Sequence, residues 1–143
     1  MSISVKVVRA KRSPKGVTSD FKAALGRVIA SGVQDTMNTA KQSIHAHSNG
    51  GKTYQKYNPK RTHTASAAGN PPNTDTGYLA NNIHMVMDAD GMGGSVESKA
   101  DYSGFLEFGT SKMKARPYLQ PALEENKPKV LRRIKALRFK GVR

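Results

Sequence analysis

Residues 20–46 place apolar side chains at Phe21, Leu25, Val28, Ile29, Val33, Met37, Ala40 and Ile44, in steps of three and four. That spacing lines them up on one face of an α-helix, with Lys22, Gln34, Asp35, Asn38 and Lys41 elsewhere around it. Thr18, Ser19 and Asp20 supply N-cap side chains at its start, and Asp20 also suits the positive end of the helix dipole. Such a helix is on the order of 40 Å long. Gly26 and Gly32 each weaken it by up to about 1 kcal/mol relative to alanine. Tertiary packing must therefore hold it, and the rest of the chain must offer that apolar stripe a surface.

The surface comes from short β-prone runs. Residues 2–9 are β-branched and partly alternating, and "KRSPKG" then breaks the strand. Residues 83–87 and 94–98 read as a second and third strand, joined through "DADGMGG", whose Asp-Gly and Gly-Gly pairs suit a hairpin. Just before them, Asp75 or Thr76 can cap a short turn of helix through Leu79 and Asn82. Near the C-terminus, Pro121 suits the first turn of a helix containing Leu123, Val130, Leu131, Ile134 and Leu137. Pro128 either kinks that helix or restarts it. These elements predict a single α+β domain over residues 1–143. Its core is an antiparallel sheet of about four strands packed by the long amphipathic helix, with the C-terminal helix at the sheet's edge.

Residues 47–74 differ in kind. Gly, Asn, Ser, Thr, Pro and Lys dominate, and no aliphatic side chain larger than alanine occurs. A long polar insert of this sort in a small domain is commonly functional or disordered. The expectation is a flexible insert, mobile in the free subunit, that orders against a neighbour or nucleic acid. It carries Lys52, Lys56, Lys60 and Arg61 with Tyr54 and Tyr57 interleaved. A second basic cluster spans Lys6 to Lys15, and the segment 127–143 holds eight cations and no acid. The formal charge of +14 exceeds the magnitude of about 2 to 8 that solubility calls for. Two readings fit that excess: an anionic partner, nucleic acid first, met through phosphate contacts that do not read sequence, or basic clusters that are simply solvated ends and loops. No recognition helix or RNA-binding signature accompanies the charge.

The chemistry of catalysis is poorly represented. There is no cysteine to serve as nucleophile or zinc ligand, and no Gly-x-Ser-x-Gly elbow. "DGMGG" lacks the Lys and Ser/Thr of a phosphate-cradling loop. His45 and His47 stand two residues apart, on different sides of a helix, while His63 lies in the insert and His84 in a strand. Glu107, between Phe105 and Phe108, is the best acid for a metal-dependent nuclease, against the alternative of an ion pair with Arg116 or Lys114. No enzyme activity, cofactor or metal is expected. Nor does any run of about 18 apolar residues predict a membrane span, and "MSISVKVVRAKRSPKG" has no apolar core of signal-peptide length.

Two stretches carry a resemblance. "GNPPNTDTGYLANNI" (69–83) and "YSGFLEFGTSKMKARPYLQPALEEN" (102–126) resemble the signatures of the tail-component, or head–tail joining, family of tailed bacteriophages. The matching positions are Asp75, Thr76, Gly77 and Leu79 in the first, and Phe105, Glu107, Phe108, Gly109, Thr110, Arg116, Pro117, Leu119 and Pro121 in the second. With the flanking helices the likeness covers residues 17–138. It implies a neck or tail-completion protein: a virion component without catalytic activity, forming a hexameric or dodecameric homo-oligomeric ring. The implied neighbours are a portal or head–tail adaptor and a tail terminator or tail tube, with double-stranded DNA passing non-specifically through the channel. The implied location is the virion neck, and the host cytoplasm during assembly. Candidate DNA or inter-ring contacts are Lys52, Lys56, Lys60, Arg61, Lys112, Lys114, Lys129, Arg132, Arg133, Lys135, Arg138 and Lys140. Within the motif, Phe105, Leu106 and Phe108 are expected to anchor a corner in the core, and Gly77 and Gly109 to permit φ > 0 or close backbone approach.

Overall fold

A computed structural model describes residues 2–9, 19–47 and 50–137. Helix α1 spans Ser19–His45, and it buries Leu25, Ile29, Val33, Thr36, Ala40 and Ile44 along one face, as the spacing requires. That face lies on a three-stranded antiparallel sheet of β1 (Ile3–Arg9), β5 (Gly93–Ser98) and β4 (Ile83–Met87), in the order β1-β5-β4. The register pairs Val5 with Val96 and Val96 with Met85 across the sheet. Val96, Ile83, Ile29, Val33 and Ile44 are fully enclosed in the resulting core. Each contributes on the order of 1.5–3 kcal/mol of burial.

The last helix, α4 (Leu119–Ala136), packs beside α1 and over β1. The two helices meet so closely at Gly32 that a Cβ there would stand 2.3 Å from Val130 Cγ2. The glycine that weakens α1 in isolation is thus what admits its partner. Asn126 Nδ2 donates to Thr39 Oγ1 at 2.9 Å, and Arg133 reaches Asp35 at 2.7 Å along the same seam. Pro128 lies inside α4, and the helix does not restart there.

The architecture is α+β with a C-terminal helix, but the sheet has three strands, not four. The insert supplies two further strands, as a separate antiparallel ribbon of β2 (Gly50–Tyr57) and β3 (Lys60–Ser66) turning at Asn58-Pro59. Hydrophobic alternation could not announce this ribbon, because no large aliphatic side chain points from it into a core. Thr and Tyr, both suited to a pleated backbone, form it instead, pairing Thr53 with Thr64 and Tyr54 with His63.

Candidate assembly surface

The two motif stretches fold onto one another. Gly69 N donates to Ala115 O at 2.9 Å, which ties segment 69–83 to segment 102–126 through the backbone, and Arg116 N donates to Leu106 O at 2.7 Å, which folds the second segment back on itself. Between them sit helix α2 (Tyr78–Asn81) and helix α3 (Ser103–Phe108), joined across a Tyr78–Tyr102 ring contact at 6.1 Å.

Asp75 does not cap α2. Gly77, at φ 79°, takes the N-cap position and offers no side chain. Thr76 Oγ1 accepts from Tyr78 N at 3.3 Å nearby. Asp75 turns to the ribbon instead, where Lys56, Arg61 and His63 converge on its carboxylate. Lys56 Nζ pairs with Oδ2, Arg61 Nε stands 3.3 Å from Oδ1, and His63 Nδ1 is 3.9 Å away. The hydrogen bond from Lys56, followed by the charges of Arg61, Lys56 and His63, holds the Asp75 pKa below its ordinary value despite opposition from partial burial. Asn73 Nδ2 adds a bond to Thr64 O at 2.9 Å. The polar ribbon is thereby fastened to the first motif by one acid and one amide.

Glu107 does not pair with Arg116 or Lys114, and it is no open catalytic acid. It is buried, and its carboxylate accepts three backbone N–H groups: Tyr118 at 3.0 Å, Leu119 at 3.1 Å and Gln120 at 2.8 Å. The first N–H groups of a helix have no partners within it. Pro121, the third residue of α4, removes one of those donors, and Glu107 satisfies those before it while placing negative charge at the helix's positive end. The expected ion pair loses because three charge-assisted bonds to a buried carboxylate outweigh a single contact to a cation.

That use of Glu107 inverts α3. Ser103, Gly104 and Glu107 face inward, and Ser103 Oγ donates to Ala100 O at 2.6 Å. Phe105 and Phe108 point outward, 50% and 76% exposed, so they do not anchor the core as expected. Leu106 alone of the three packs against it. The signal for this is the spacing of Tyr102, Phe105 and Phe108, which puts the three rings on one face of a helix, opposite Glu107. Beyond α3, Gly109 takes φ 76°, and a Cβ there would lie 2.7 Å from Met113 O. Thr110 Oγ1 then accepts from Lys112 N at 3.2 Å and Met113 N at 3.1 Å, closing the loop. Pro117 leads into Tyr118, which is fully buried beside Glu107.

The candidate cations divide. Lys56 and Arg61 are engaged by Asp75, Lys129 by Glu125 at 2.8 Å, and Arg133 by Asp35. Lys52, Lys60, Lys112, Lys114, Arg132 and Lys135 lie exposed on the ribbon, the loop and α4. Arg138 and Lys140 fall outside the described residues. Among the described residues no three His, Asp or Glu side chains gather as a metal site. No family model, curated protein or solved structure matches the chain.

Proposed function

We propose that this chain is a structural subunit of a tailed-bacteriophage neck, a head–tail connector that assembles as a homo-oligomeric ring, hexameric or dodecameric, during tail completion. One observation carries the reading. The two stretches that resemble the joining family fold into one unit whose Glu107 is spent on a helix cap and whose Phe105 and Phe108 face solvent. A catalytic site would keep Glu107 accessible and enclose its aromatics. A subunit built for viral tail assembly needs the reverse, a rigid corner and an apolar outer face for a neighbour. In this role the ring sits between portal or adaptor and tail terminator or tail tube, and its cations face the DNA that passes during ejection.

The test is assembly. Native mass spectrometry and electron microscopy of the purified chain should show closed rings, and imaging of the particle should place and count the subunit at the neck. A chain that stays monomeric, in phage whose heads and tails join without it, would sink the proposal. A second reading is favoured by the exposed cations of the ribbon and α4: a free nucleic-acid-binding protein that acts without reading sequence. It requires tight duplex binding by the isolated subunit.

A further inference from the structure

The capping role of Glu107 leaves Arg116 without an acid. No carboxylate among the described residues pairs with its guanidinium, and its Nε is buried with no acceptor. An unpaired buried donor carries the full penalty of its desolvation. The side chain lines a recess of about 210 Å³ together with His63, Asn73, Asp75, Tyr78 and Tyr102. Asp75 does not neutralise the recess, because Lys56 and Arg61 already share its carboxylate. Arg116 is thus the cation of the recess that no carboxylate among the described residues answers.

The recess is smaller than the roughly 300–1,000 Å³ typical of small-molecule pockets, and suits one inserted side chain. Its rim of Tyr78 and Tyr102 leads along α3 to Phe105, an apolar and aromatic surface of the kind that proteins bury against proteins. A duplex phosphate, flanked by its sugars, meets convex cationic surfaces more readily than a recess of this size. The β4–β5 ribbon has the complementary feature at its other end. Its Ile83–Ser98 end adjoins α2 and the recess, whereas its Met87–Gly94 end leads to the turn bearing Asp88 and Asp90. Asp90 is exposed there, with Oδ1 accepting from Met92 N at 2.9 Å. Four residue steps, about 13 Å, separate the two ends of the strand pairing.

We propose that the Arg116 recess receives the Asp90 carboxylate of a second copy of this chain, joining subunits head to tail. A contact between two different patches can repeat and close into a ring, whereas a two-fold contact at the recess would set like charges together. The inference rests on the ring reading above and names the contact that builds the ring.

Sedimentation and native mass spectrometry of the full chain test it, with wild type, Arg116→Gln, Asp90→Asn and the exchanged pair Arg116→Asp/Asp90→Arg. Melting curves confirm that each variant is folded. Each single change should weaken self-association at least about tenfold, the loss of one well-buried charge pair. The exchanged pair should recover most of it. Asp90→Asn keeps the turn's acceptor oxygen, so it carries the test alone if changes at Arg116 disturb folding. Single variants that assemble like wild type overturn this contact while leaving the ring intact. A wild type that never assembles overturns the ring itself. If Arg116→Gln loses affinity for duplex DNA while self-association is unchanged, the recess takes phosphate and the proposal fails.

Discussion

Two buried side chains set the corner of this protein, and both make measurable demands. Glu107 binds three N–H groups of the α4 entry. Glu107→Gln keeps the volume but supplies one acceptor oxygen where two served, and it removes the charge at the helix end. We expect a loss of about 2 kcal/mol, a fall in Tm of about 5 °C by circular dichroism. Behind Glu107 lies Tyr118, whose Oη and the Oγ of Ser98 are both buried, with neither making a well-formed hydrogen bond. Burial, with a smaller push from the Glu107 charge, raises the Tyr118 pKa from 10.0 to about 12. The folded state thus favours the neutral phenol. Its contribution is complete below pH 10 and is lost as pH climbs towards 12. Chemical unfolding should become easier across that window, and Tyr118→Phe should flatten the decline. An unchanged pH profile in Tyr118→Phe would show that the ring is not the group that titrates.

At the scale of elements, the ribbon is the piece most dependent on a few contacts. A two-stranded ribbon alone is marginal in water, and this one is fastened through Asp75 and Asn73. Asp75→Asn should raise hydrogen exchange of the β2 and β3 amides roughly fivefold, about 1 kcal/mol, leaving α1 and β5 unchanged. Because the Asp75 pKa is depressed, its hold is present above the ordinary value of 3.8 and fails as pH drops through the lower folded value. Amide resonances of residues 53–57 and 60–66 should then shift together below pH 3.8 in the wild type but not in Asp75→Asn. The ribbon also marks where sequence reading stops. Helix α1, β1, β4 and β5 were legible because apolar spacing encodes which face meets the core. The ribbon has no such face, and it follows from Thr and Tyr pairing that only a partner strand reveals. In the corner, the Gly109-Thr110 turn and the Pro121 helix start were legible as local backbone chemistry. The roles of Glu107 and Asp75 were not, since each depends on which distant donors the fold brings within 3 Å or so of a carboxylate.

For the whole molecule the deciding quantity is charge. Of the chain's formal +14, the cations on Lys52, Lys60, Lys112, Lys114, Arg132 and Lys135 are displayed on the surface. One subunit presents only its own six, spread over the β2–β3 ribbon, the 109–116 loop and α4. A ring would present every copy's cations around one axis, multiplying the phosphates neutralised without changing any subunit. Each phosphate contact adds about −0.9 to the slope of log affinity against log salt. The proposed ring therefore predicts a slope that steepens on assembly, by several units between isolated subunits and closed rings. Affinity should be indifferent to DNA sequence throughout. A free nucleic-acid-binding protein predicts instead the same slope per chain in both states, already steep in the monomer. Titrating duplex DNA at several salt concentrations, with wild type and with the Asp90→Asn chain once sedimentation shows it monomeric, separates them. The substitution removes one negative charge, so lone chains carry slightly more positive charge than before. A shallower slope in Asp90→Asn than in wild type could then come only from lost assembly, and an equal slope would assign the charge to the single subunit.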